Sequence, residues 1–406
     1  MKKFITAILM IAGTLITYTS TAQFSLSGEF RPRTEFSHGY KSLANEDQDW
    51  STATAQRSRL NFLYSNDFIK TKLVLQDVRY WGSQPQLVNN EDYATSIHEA
   101  WADVLLAKNF SVKAGRQELV YDDHRIFGNV GWAHQARSHD IAVFKYEHNF
   151  KIHFGIAHHE NSNTTNNIYD GPDAYKDLQF IWFNKAWEKS ALSLLFLNNG
   201  VPVYEQEKQV TKYGQTTGAH YTTKIGTADL TANLYYQSGK HSGGKDISAL
   251  NFLIEANLKN GISAGYEYLS GNSYDKTNKV YAFTPLYGTN HKFNGFMDYF
   301  YVGNHINSVG LNDAYLKYKH SVKKIGFNAD LHYFASAGKI SEDAKNYLGT
   351  ELDLTFSYQI HEMTSISAGW STMFAGESME ILKEGSKNAG NHWAYIMLSV
   401  TPTFIK

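Results

Sequence analysis

Along most of the chain, apolar and polar residues alternate one for one. In ELDLTFSYQI, Leu352, Leu354, Phe356, Tyr358 and Ile360 fall on one side, and Glu351, Asp353, Thr355, Ser357 and Gln359 on the other. IGFNADLHYF sets Ile325, Phe327, Ala329, Leu331 and Tyr333 against Gly326, Asn328, Asp330 and His332. FSLSGEFRPR sets Phe24, Leu26 and Phe30 against Ser25, Ser27, Glu29, Arg31 and Arg33. A period of two is the signature of a strand with two unlike faces. Such strands also build soluble sandwiches, but a charge at every second position suits a polar lumen better than a dry core.

The pattern predicts about eighteen strands, near 24–36, 56–65, 68–80, 95–107, 110–120, 138–147, 150–158, 176–187, 190–198, 213–224, 228–238, 246–258, 261–270, 312–321, 324–335, 347–360, 364–375 and 390–404. Short connections such as Lys108-Asn109 and Val322-Lys323 alternate with long ones such as 121–137, 199–212 and 271–311. Short turns make neighbours antiparallel. An even strand number with turns short on one side and long on the other is the layout of a bacterial transmembrane β-barrel. The expected fold is all-β, a single antiparallel barrel.

The first residues refine this. Lys2 and Lys3 precede an apolar run from Phe4 to about Ile16, followed by Ser20 and Ala22. This is the layout of a signal peptide over 1–22, cut after Ala22, with the barrel filling 23–406. No later apolar run approaches a helical span of about 20 residues. With 27 Tyr, 24 Phe and 8 Trp, the chain is rich enough in aromatics for the two girdles of an outer-membrane barrel. Cysteine is absent, which removes disulfides and thiolate metal sites. Basic and acidic residues nearly balance, so nothing points to nucleic acid. The expected location is the bacterial outer membrane, reached after signal-peptide export.

Charge placement suggests the chemistry. All eight arginines lie in the first third: Arg31, Arg33, Arg57, Arg59, Arg79, Arg116, Arg125 and Arg137. Residues 138–406 contain lysine but no arginine. Only arginine offers a planar fork to a carboxylate or phosphate. Alternation places Arg31 and Arg33 with Glu29, Arg57 with Arg59, Asp77 with Arg79, and Glu99 with Asp103. In FSVKAGRQ it places Lys113, Gly115 and Gln117 on the polar face and Arg116 opposite, so a lumen position for Arg116 needs a bulge or a place at the rim. The arginines are expected to line the lumen and enrich anions there, with Glu29, Asp77, Glu99, Asp103 and Asp140 as acidic partners. The plainer alternative is that the ion pairs, Asp122 and Asp123 included, only brace the wall.

VKAGRQELVYDDHRIFGNVGWAHQARSHD (112–140) resembles the alginate export family of outer-membrane β-barrels, as do LQDVRYWG (75–82), HEAWADV (98–104) and HKFNGFMDYF (291–300). The matching positions are Gly115, Arg116, Gln117, Tyr121, Asp122, Asp123, Arg125, Gly128, Trp132, Arg137 and Asp140. The resemblance implies an eighteen-stranded barrel and an arginine-lined constriction passing an anionic polyuronate, with Arg79, Arg116, Arg125 and Arg137 as its cations. Lysine and histidine alone on the opposite wall leave the cargo open between alginate, another uronate, a shorter oligosaccharide and another carboxylate.

The expected function is therefore an outer-membrane channel for an anionic polysaccharide or oligosaccharide. A general anion-preferring porin and an outer-membrane hydrolase are the alternatives. No G-x-S-x-G elbow occurs, and His158, His159 and the NEDQDW loop lack ligand spacing. No catalytic residue, metal or cofactor is expected. The expected partners are outer-membrane lipid and the carbohydrate, with periplasmic proteins left open. The long 271–311 segment either caps the barrel or folds inward, where Tyr274, Tyr281, Phe283, Tyr287, Phe293 and Phe296 could stack on sugar rings.

Overall fold

The computed structural model describes residues 22–86, 95–161, 167–172 and 174–406. The proposed signal segment, apart from Ala22, lies outside them, as do parts of the 81–94 and 159–175 connections.

The strands are β1 (Gln23–His38), β2 (Ser51–Ser65), β3 (Ile69–Tyr80), β4 (Thr95–Ala107), β5 (Phe110–Gln117), β6 (His139–Glu147), β7 (Lys151–His158), β8 (Asp177–Ala186) and β9 (Ser190–Glu205). They continue with β10 (Lys208–Ile225), β11 (Ala228–Gly239), β12 (Ala249–Leu258), β13 (Ile262–Leu269), β14 (Leu311–Val322), β15 (Ile325–Ala335), β16 (Tyr347–His361), β17 (Thr364–Ala375), β18 (Asn391–Val400) and β19 (Thr403–Ile405). From β1 to β18 each pairs antiparallel with the next, and β1 closes the ring on β18 and β19. β18 and β19 share one wall position, broken where Pro402 lacks an N–H for the ladder. The result is a closed barrel of eighteen strand positions. Among the described residues no helix is long and apolar enough to cross a membrane.

Alternation sorts the faces as expected on most strands. Phe30, Leu60, Leu73, Phe144, Ile181, Leu234, Leu316, Leu331 and Ile396 are exposed on the outside, while Arg31, Arg57, Val74, Val143, Glu267, Asp313 and His332 are buried inside.

Two connections depart from expectation. The 199–212 segment is not a loop: β9 and β10 run on past it as a hairpin, with Pro202 opposite Thr211 and Gln206-Glu207 at the tip. Past Gly200, which still pairs with Asp177 of β8, the hairpin has no second neighbouring strand to satisfy, so Pro202 is tolerated there. The 270–310 segment folds inward. Phe283, Tyr287, Met297, Tyr299 and Phe300 are buried, whereas Tyr274 remains exposed. The 118–138 segment folds inward to meet it, and Phe127 and Tyr287 bridge backbone to backbone with their rings stacked 5.9 Å apart.

Candidate functional site: a strapped lumen

The inner face of β1–β6 carries Arg31, Arg33, Arg57, Arg59, Lys72, Lys113 and Lys145 against Glu29, Glu35, Glu99 and Asp103. Arg57 holds Glu29 at 2.6 Å and Arg33 holds Glu35 at 2.6 Å. Lys72 pairs with Glu99 and Lys145 with Asp103. Arg59 donates to Gln76 at 2.7 Å. The Lys113 ammonium instead sits 3.9 Å over the Trp101 ring, with no carboxylate within ion-pair distance among the described residues.

Far around the ring, the inner face of β12–β16 carries Glu255, Glu267, Asp313, Asp330, Glu351 and Asp353 against Lys317, Lys319 and His332. The lumen is therefore basic on one wall and acidic on the other. Between them β8–β11 present Ser193, Asn199, Thr216, Asn233 and Gln237, all buried.

The 118–138 segment is strung between the charged walls. On the basic side, Arg31 donates to the carbonyl of Gly131 at 2.8 Å, Arg33 to that of Trp132 at 2.8 Å and Arg57 to that of Ala133 at 3.2 Å. The Arg33 guanidinium also lies 4.1 Å over the Trp132 ring. On the acidic side Arg125, 1% exposed, meets Glu267 at 2.7 and 2.8 Å and the Asn294 amide oxygen at 2.9 Å. Asn294 donates in turn to Glu267 and Asp313. A Cβ on Gly128 would fall 2.3 Å from the Thr289 hydroxyl, so glycine is what lets the two inward segments meet. Burial pushes the Glu118 carboxyl up, but hydrogen bonds from His98 and Asn129 outweigh it and hold it below the usual range.

Four of the expected lumen residues lie on the other side of the wall. Gln76 points inward to Arg59 and to the Gln135 carbonyl. Its neighbour Asp77 and, two further on, Arg79 therefore share the outer face with Leu73 and Leu75. There they pair with each other at 2.5 Å. Gln117 is buried inside, which puts Arg116 outside with Val112 and Ala114, facing Asp140 at 2.9 Å. No bulge turns Arg116 inward, because the β5–β6 register runs unbroken from Phe110 to Gln117. Arg79, Arg116, Asp77 and Asp140 are thus exterior rim residues.

Arg31, Arg33, Arg57, Arg59, Glu29, Glu99 and Asp103 do face the lumen, though the first three arginines are occupied by strap carbonyls. Arg125 is a clasp within the strap. Arg137, next to β6, donates to the Gly288 carbonyl at 3.2 Å and has no carboxylate partner among the described residues. Burial lowers its pKa from the ordinary arginine value.

Lys72, Lys113 and Lys145 were not among the residues singled out, though alternation alone placed Lys113 on the polar face. The acidic wall was missed too. Its signal was the carboxylates on the polar faces of EANL, GYEYL, NDAY and ELDL. Among the described residues no group of three or more His, Asp or Glu is arranged to hold a metal.

No family model and no curated protein matches the chain. Solved structures do. Pseudomonas aeruginosa OccK9 (OpdG) is similar at 13% identity and a TM-score of 0.62, covering 94% of this chain and 99% of that one. OccK11 (OpdR) and OccK3 (OpdO) of the same organism are each similar at 14% and 0.60, covering 94% of this chain and 96% of theirs. These neighbours are OccK proteins, so they support the barrel and not alginate export in particular. At this identity the likeness is one of fold alone, and the fold is a closed antiparallel β-barrel.

Proposed function

We propose that the protein is an outer-membrane channel for small anionic solutes, short uronate oligosaccharides being the class suggested by the resemblance to alginate exporters. The observation that carries this reading is the lumen's division into a basic and an acidic wall with a strap between them. A solute passing the basic wall meets a column of fixed cations in a low-dielectric enclosure, where binding recruits and neighbouring sites release. The strap and the inward 270–310 segment narrow the interior, which favours oligomers over a long polymer.

Planar-bilayer recording under a salt gradient tests the reading. The expected result is an open channel with anion preference, blocked by oligouronates. Cation preference would sink the basic-wall argument, and the absence of any conductance would sink the channel, leaving a hydrolase as the alternative to assay.

A further inference from the structure

The outer side of the barrel carries one region that does not suit lipid. On β14–β16 the outward positions are apolar or aromatic: Leu316, Tyr318, Phe327, Leu331, Phe356 and Tyr358 are all exposed there. On β2 the outward positions alternate with Arg57 and Arg59, and only the lowest three, Tyr64, Phe62 and Leu60, are of that kind. Above them come Ser58, Gln56, Thr54 and Thr52 in succession. The neighbouring strands widen the patch. Thr34 of β1 shares a hydroxyl hydrogen bond of 2.9 Å with Thr54. Asp77 and Arg79 of β3 stand beside Ser58 and Gln56 in the ladder.

Tilted strands climb roughly 2.5 Å per residue along the barrel axis. Ser58 therefore stands about 15 Å, and Gln56 about 20 Å, above Tyr64 at the short-turn end, inside an apolar band about 25 Å tall. The Asp77–Arg79 pair lies beside them at the upper edge. Glycolipid headgroups stand above such a band, and lipid tails offer neither donor nor acceptor. Arg79 has five N–H donors and uses three of them within its own chain, on Asp77 and Gln84. The remaining capacity is matched by the patch itself under a twofold rotation. Gln56 and Arg79 are ladder neighbours, as are Ser58 and Asp77. An axis along the membrane normal between β2 and β3 exchanges them. The Gln56 amide oxygen then meets the partner's Arg79, and the Ser58 hydroxyl meets the partner's Asp77. Each contact occurs twice, as in any isologous interface. We propose that the outer face of β1–β3 is a dimer interface whose occupant is a second copy of the chain. The surface lies outside the lumen, so the proposal goes beyond the channel reading and does not depend on it.

The chain has no cysteine, so single cysteines report contacts cleanly. Thr54→Cys lies near the axis without touching the exchanged contacts, and Leu331→Cys lies on the opposite outer wall. Each variant is reconstituted at high dilution in lipid vesicles and treated with a short bis-maleimide, with folding checked by heat-modifiable gel migration. Thr54→Cys is expected to give covalent dimers and Leu331→Cys almost none. Gln56→Leu with Ser58→Leu turns β2 into a wall like β15. It should raise the dimer dissociation constant at least about tenfold in single-molecule photobleaching, because each lost hydrogen bond is lost twice. Equal cross-linking from the two positions, a monomeric or trimeric wild-type chain in vesicles, or an unchanged dissociation constant in the folded leucine variant would overturn the proposal. So would a glycolipid that copurifies with a monomeric wild-type chain and is lost from the leucine variant, which would put lipid on the patch instead.

Discussion

The β1–β6 wall and the β12–β16 wall face the same lumen with opposite charge, and they manage that charge differently. On the basic wall nearly every cation has a partner close by: Glu29 and Glu35 serve the arginines, and Glu99 and Asp103 serve Lys72 and Lys145. The acidic wall has too few cations of its own. One of its fully buried carboxylates, Glu267, depends on Arg125, which comes from a segment rooted between β5 and β6. The excess charge of each wall is thus met by the strap: carbonyls answer the arginines on one side, and a guanidinium answers Glu267 on the other.

The sharpest way to break the comparison is to cut the strap's acidic end. Arg125→Met leaves Glu267 buried without its cation, and losing one partner of a buried pair costs about 3–5 kcal/mol. The barrel ladders remain, so the cost should fall on the strap, which detaches and widens the lumen. Single-channel conductance is expected to rise severalfold. Arg125→Met with Glu267→Gln removes the stranded charge and should recover part of the lost stability, as read by thermal unfolding, while conductance stays high. Unchanged conductance in the single variant would mean that the strap does not set the constriction.

A smaller effect should sharpen the basic wall. Lys113 is its cation without a close carboxylate, so Lys113→Met removes charge without stranding an acid. Anion preference, read from the reversal potential, should fall about two- to threefold by loss of one fixed charge in a low-dielectric channel. Arg79→Ala and Arg116→Ala should leave the reversal potential where it was, because both side chains stand outside the barrel. A shift from either of the outer arginines would contradict the wall assignment.

Those two arginines also show what the sequence could say. On β1 the inward positions are Glu29, Arg31, Arg33 and Glu35, and the outward ones are Phe30, Pro32, Thr34 and Phe36, so the face is plain from alternation. On β3 both faces are mixed. Lys72, Val74, Gln76 and Val78 alternate with Leu73, Leu75, Asp77 and Arg79. Charge favoured the second set as the lumen face, yet Leu73 and Leu75 tie it to the lipid side, and the Arg59–Gln76 bond across the strands settles it. Barrel and strand number were legible because they rest on local periodicity. The clasp was not. Arg125 and Glu267 are 142 positions apart, and nothing local in either segment marks the other as its partner. Likewise 199–212 reads as a long connection, because nothing local reveals that the hairpin continues above the rim.

The smallest expected effect concerns the outer edge of the acidic wall. Helix α1 (Glu377–Lys383) follows β17 and buries Lys383, whose ammonium donates to the Asn304 carbonyl at 2.7 Å. This ties the helix to the inward segment. Burial lowers the Lys383 pKa to about 8 from an ordinary lysine value near 10.5. A base held below its free value binds fewer protons folded than free between those two pH values. Docking of the helix therefore carries a penalty below about pH 8 that fades as pH rises toward 10.5. Hydrogen exchange over residues 377–383, corrected for its intrinsic pH dependence, should show protection increasing across that window. Lys383→Met, which keeps the stem but not the charge, should raise protection at pH 7 and flatten the dependence. Protection that falls across the window in the native chain would reverse the sign and show the ammonium to be a net stabiliser of the dock, held by Asn304 more strongly than burial disfavours it.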